Sequence, residues 1–166
     1  MALTCEAEYH STPPSTTGEK ESQNQAGTLV LPTATLAATS EDVVEQFFSV
    51  WSVVSAYNTA TAPTVFTTTN SWFVKEILTY HWNDGKGKEP GTIGLQAADG
   101  TLYRLWQTIT REGSGVVLVA WVVKPNFILP PGTYTVLYSD PASWSQNEET
   151  GSAGMTRGYS VWKGNP

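Results

Sequence analysis

The feature that most constrains this fold is a succession of short, β-branched segments that turn residues separate and no helical pattern interrupts. Gly, Pro, Asn and Asp stand between the segments, and these residues favour turns. Short strands at this spacing are typical of an antiparallel sandwich or barrel, since a parallel sheet would need helices between its strands. The chain is therefore predicted to be all-β, an antiparallel β-sandwich (jelly-roll or Ig-like). The predicted strands are Pro63–Thr69, Phe73–Trp82, Thr92–Ala97, Leu102–Thr108, Val116–Val122, Thr133–Ser139 and Met155–Trp162.

The clearest hairpin turn is predicted at Asp99-Gly100, because both central residues of a type I′ turn need positive φ. Four tryptophans lie within or beside predicted strands, and most of them are expected in the core. They are Trp72, Trp82, Trp106 and Trp121.

The first third of the chain is predicted to lie outside the sandwich. Residues 1–27 are rich in polar residues and Pro, so they are expected to form a flexible N-terminal arm. Residues 28–56 form a strand-prone extension, and residues 57–166 form the sandwich domain. Within the extension, Ser40 followed by two acids is typical of a helix start, whereas the later β-branched residues favour a strand over Phe48–Ser55.

Charge and composition exclude several classes of function. Charged residues make up only 14% of the chain, and the formal net charge is −6. Nucleic-acid binding is disfavoured, because it needs a Lys/Arg cluster that the sequence lacks. No run of about 18 apolar residues occurs, so no transmembrane segment is expected. Cys5 is the single cysteine, so a disulfide within the chain is excluded.

Catalytic motifs are absent. One of the two histidines, His10, lies in the predicted arm, and His81 has no second histidine at metal-ligand spacing. Neither GxSxG nor a phosphate-binding GxxxxGK[ST] loop occurs. We therefore expect a protein that is not an enzyme and that uses no cofactor and no metal.

Two loops, Tyr80–Gly85 and Ser139–Asn147, combine aromatic, amide and carboxylate groups, which is the chemistry of sugar recognition. Their oxygens could alternatively hold Ca²⁺, or Asn83, Asp140 and Asn147 could simply bond to nearby backbone and fix the loops. The loop-fixing alternative is favoured from sequence. The candidate ligand-binding residues are Tyr80, His81, Trp82, Asn83, Asp84, Asp140, Trp144, Gln146 and Asn147.

Five motifs resemble those of a bacterial extracellular β-module family that has no established activity. The resemblance runs in order from about Tyr57 to Trp162, and it implies a secreted, non-enzymatic accessory module. Between Gln107 and Trp121 the family has a Gly-rich loop that ends in an Asn before the Trp. In this chain Arg111–Gly115 is followed by Val116–Ala120 instead, so a ligand site built from that loop is in doubt. The motifs are Pro63–Thr67, Tyr80–Gly87, Pro90–Leu95, Leu129–Val136 and Ser139–Asn147.

The leading functional hypothesis is a non-catalytic module, extracellular or on the cell surface, that binds a glycan or protein partner through the two aromatic-rich loops. The alternative is a self-assembling structural subunit, in which residues 27–55 donate a strand to a neighbouring copy. A weaker alternative is a membrane-active toxin whose residues 27–57 form an amphipathic hairpin.

Overall fold

The computed structural model describes residues 44–161 of the chain, and nearly all of its regular structure is β-strand. Within that span, no helix has the length and apolar character needed to cross a bilayer. A single 3-10 turn lies at Asn83–Gly85. The strands are β1 (Val44–Val50), β2 (Val65–Thr68), β3 (Trp72–Tyr80), β4 (Thr92–Ala97), β5 (Leu102–Gln107), β6 (Ile109–Gly113), β7 (Val116–Val123), β8 (Phe127–Leu129), β9 (Gly132–Tyr138) and β10 (Thr156–Val161).

The strands form two antiparallel sheets, which confirms the predicted all-β sandwich. The larger sheet has the order β1-β10-β3-β7-β6, and β8 also pairs with β3. The smaller sheet has the order β2-β9-β4-β5. The chain passes from the smaller sheet to the larger at Thr108, whose N–H and hydroxyl both donate to Gly91 O (2.9 and 2.8 Å).

Aromatic rings fill much of the core between the sheets. Phe48 and Phe66 stack with their centroids 3.9 Å apart, and Tyr134 packs against Phe66 at 5.5 Å. Burying each such ring contributes about 1.5–3 kcal/mol. Some rings lie against glycines: a Cβ at Gly158 would overlap the ring of Phe48, so only glycine fits there.

The predicted start of the sandwich at residue 57 is wrong, because β1 belongs to the larger sheet. Its pairing with β10 runs from Val44↔Val161 to Val50↔Thr156. The register shifts between Gln46 and Phe48, so alternation breaks there and the apolar residues no longer follow a period of two. Because of that irregularity, the sequence pattern indicated a strand at Phe48–Ser55 instead of the observed Val44–Val50. Residues 1–43, with the predicted arm and most of the extension, lie outside the described residues.

The type I′ turn lies elsewhere than predicted. Both Ser114 (φ 52°) and Gly115 (φ 73°) have positive φ, and they join β6 to β7. At the Asp99-Gly100 hairpin Gly100 has positive φ (89°) but Asp99 does not, and Gly100 N–H donates to Ala97 O (2.9 Å). This is the pattern of a longer loop that ends in a left-handed glycine.

Candidate functional site

The two loops predicted to form a ligand site do lie side by side. Ser145 N–H donates to Tyr80 O (2.8 Å), and Trp82 N–H donates to Ser145 Oγ (2.7 Å). A further hydrogen bond joins His81 Nδ1 to Ser143 Oγ (2.9 Å). The sequence therefore singled out residues that the fold brings together, although the side chains of His81, Trp144 and Asn147 are buried.

His81 is buried and structural. Its ring stacks on Trp121 with the centroids 3.9 Å apart, and its Nε2 lies 2.9 Å from Thr79 Oγ1. Burial lowers the pKa of His81 to about 3, although the negative charge of Asp140 acts to raise it. Ser143 and His81 could form a nucleophile–base pair by geometry, but their exposures of 3% and 0% leave no path for a substrate.

Trp144 cannot stack on a sugar, so its prediction as a ligand-binding residue is wrong. The side chain is 0% exposed, and its Nε1–H donates to Met155 O (3.0 Å). The edge of Tyr138 packs against the ring, and Gly154 leaves the space that the ring occupies. A loop tryptophan here completes the core.

Asn147 and Gln146 fix the chain to its neighbours. Asn147 is 3% exposed; Thr150 N–H donates to its Oδ1 (3.0 Å), and its Nδ2 donates to Ser55 O (3.1 Å). Gln146 Nε2 donates to Asn58 O (3.4 Å). Asn147 therefore fixes its loop, as the alternative favoured from sequence predicts, and its listing as a ligand-binding residue is wrong.

The remaining polar candidates have separate partners and do not converge on one point. Asn83 Nδ2 donates to Gly87 O (2.8 Å) within its own loop. Asp140 forms an ion pair with Lys88 (2.8 Å), and the hydrogen bond from Lys88 lowers the pKa of Asp140. Asp84 is exposed. In the part of the chain that the structure describes, no three His, Cys, Asp or Glu residues form a group that could hold a metal.

Tyr80 and Trp82 are the candidates that line an open site. Together with Trp51 they line a groove of about 690 Å³, which we call the aromatic groove. All three side chains are half-buried, and the rings of Trp51 and Tyr80 lie 5.3 Å apart. The groove is also lined by residues 52–56, which contribute backbone groups, and by Ser114, which contributes a hydroxyl.

Trp51 is the residue that sequence reasoning missed. It follows β1 directly and lies over the guanidinium of Arg157, whose Cζ is 4.1 Å from the ring centroid. Ser52 Oγ donates to Glu149 Oε2 (2.6 Å), which fixes the neighbouring backbone. The signal in the sequence was an aromatic residue at a strand end next to a Ser-rich turn, but the extension was assigned to another part of the molecule.

No protein-family model, curated protein or solved structure matches the chain. The resemblance to an extracellular β-module stays a prediction from sequence. The functional argument rests on the aromatic groove.

Proposed function

We propose that this domain is a non-catalytic carbohydrate-binding module whose site is the aromatic groove. The observation that carries the proposal is the grouping of Trp51, Tyr80 and Trp82, three half-buried rings, in one open groove. Sugar rings present apolar C–H faces that stack on aromatic side chains, while their hydroxyls need nearby polar groups. Ser55 and Ser114 are exposed, lie within the same groove and provide such groups.

Contacts to the rest of the fold hold the three aromatic residues of the groove in place, which favours binding because less conformational freedom is lost. Tyr80 ends β3, and its N–H donates to Met155 O (3.0 Å). Trp82 is tied to Ser145 through its backbone N–H (2.7 Å), and Trp51 is held between Tyr80 and Arg157. An extracellular or cell-surface location would suit this role and stays a prediction.

A glycan array tests the proposal with three proteins: the wild type, Trp51→Ala and Trp106→Ala. Trp106 is the matched control, because it is also half-buried but belongs to β5 of the other sheet, where it stacks on Phe127 (5.7 Å). We expect wild type and Trp106→Ala to bind the same glycans and Trp51→Ala to lose them, with all three folded by circular dichroism. A wild type that binds no glycan, or equal loss in both variants, would contradict the proposal.

Self-assembly is the second candidate function, and one observation favours it: among residues 44–161, β1 is an edge strand of the larger sheet. Val44–Val50 already pairs with β10 of its own chain, so the segment proposed for donation is the part of the chain before residue 44. The test compares the full chain with a chain that starts at Asp42, by light scattering. A larger mass for the full chain alone supports strand donation, and two equal monomeric masses contradict it.

A further inference from the structure

A second groove, of about 590 Å³, lies on the outer face of the larger sheet, and we call it the basic groove. It is lined by side chains from β1, β3, β6, β10 and the loop after β7. The polar ones are Lys75, Glu76, Arg111, Lys124, Asn126 and Tyr159.

The basic groove lies on the same face as the aromatic groove. Tyr80, Leu78 and Glu76 alternate along β3, so all three side chains point to one face of the sheet. On β10, Arg157 pairs with Leu78 and Tyr159 with Glu76, which puts both on that face too. Tyr80 and Glu76 are four residues apart, about 13 Å along the strand.

On this face, three cations have no carboxylate partner among residues 44–161. Among residues 44–161 the ion pairs are Lys88–Asp140 and Arg111–Glu76, so Lys75, Lys124 and Arg157 are unpaired. Lys75 lies over the ring of Phe73 (4.9 Å), as Arg157 lies over Trp51. Such a concentration of positive charge is unexpected in a chain whose net charge is −6.

Arg111 connects β6 to β3 across this face. It pairs with Ala120 of β7, yet its guanidinium reaches Glu76 on β3 through two hydrogen bonds (2.8 and 2.6 Å). Because β7 lies between β6 and β3, the Arg111 side chain crosses the outer surface of β7. Because Glu76 balances the charge of Arg111, the net positive charge of this face comes from Lys75, Lys124 and Arg157.

We propose that the outer face of the larger sheet binds an anionic glycan, whose sugars carry carboxylate or sulfate groups. The aromatic groove takes the faces of the sugar rings, and the basic groove takes the acid groups through Lys75 and Lys124. Asn126 and Tyr159 offer an amide and a hydroxyl for the sugar oxygens beside them. This inference rests on the proposed function and adds the chemical class of its ligand.

The test measures binding by calorimetry to two matched pairs of ligands: mannohexaose against hexamannuronate, and dextran against dextran sulfate. The variants are Lys75→Gln/Lys124→Gln and the control Arg104→Glu. Arg104 is exposed on β5 of the other sheet, and its replacement changes the net charge by the same amount. Equal melting temperatures confirm that each variant is folded.

We expect wild type to bind the acidic member of a pair more tightly than its neutral partner, with an affinity that falls as salt is added. The double lysine variant should lose about fivefold to tenfold in affinity for the acidic ligand, and Arg104→Glu less than about twofold. Equal affinity for neutral and acidic members would overturn this inference but leave the proposed function intact. Binding of neither would contradict both. Oligothymidylate is measured alongside as a polyanion without acidic sugars. Tighter binding of it at the same lysines would overturn the glycan assignment.

Discussion

Truncation of Trp144 should be among the most damaging single changes in the domain. The ring is fully buried, and large aromatic truncations in cores cost about 3–5 kcal/mol. A domain of this size has about 5–15 kcal/mol of stability in total, so Trp144→Ala should unfold much of the population under mild denaturant. The lost indole hydrogen bond adds little, since Met155 O still accepts from Tyr80 N–H (3.0 Å).

The buried position of Trp144 can also be tested through its contact with Gly154, by changing the two residues singly and together. A Cβ at Gly154 would overlap the Trp144 ring, so Gly154→Ala should cost about 1–3 kcal/mol by overpacking. In the Trp144→Ala background the methyl group fills part of the cavity, so the double variant should lose less than the sum of the two single losses. Guanidinium unfolding of the four proteins measures this. Additive losses, or a Trp144→Ala loss below about 1 kcal/mol, would refute the buried position of the ring.

Three further outcomes are expected. The unfolded chain protonates His81 near pH 6.5 but the folded domain only near pH 3, so the free energy of unfolding should fall by up to about 1.4 kcal/mol per pH unit below pH 6.5. His81→Gln should flatten this slope between pH 6.5 and 4.5, where Asp140, with its lowered pKa, does not yet titrate; an unchanged slope would contradict the burial of His81. Phe48→Ala should cost about 3–5 kcal/mol in urea unfolding, because its ring stacks on Phe66, and a midpoint that barely moves would show that β1 is not part of the core. Melting curves with EDTA and with millimolar calcium should superimpose, whereas a shift of several degrees would reveal a metal site.

Strands with clear turn signals at both ends could be predicted from the sequence. β4 has the predicted bounds, Thr92–Ala97, and β7 differs from its prediction by one residue, Val123. β6 was missed because only Thr108 separates it from β5, so no turn signal marks the change of sheet. β8 spans three residues, too few to show a period of two.

The site was only half predictable, because sequence composition does not tell a buried aromatic residue from an exposed one. Trp144 and Trp82 both lie in loops with amides and carboxylates, yet the first is fully buried and the second lines the aromatic groove. Of the tryptophans expected in the core, Trp121 is fully buried, while the others are half-buried. Long-range contacts decide these positions: a glycine at 154 accommodates the ring of Trp144 ten residues earlier, and β10 brings Arg157 to Trp51.

The most direct test of the account is a titration of the labelled domain, followed by the indole N–H signals in a ¹H–¹⁵N NMR spectrum. The titrant is the glycan that gives the strongest array signal. We predict that the signals of Trp51 and Trp82 shift and saturate together, whereas those of Trp121 and Trp144, whose indole N–H groups are bonded to Lys88 O and Met155 O, do not move. Shifts confined to Trp106, or no shift at Trp51 and Trp82, would contradict the aromatic groove as the binding site.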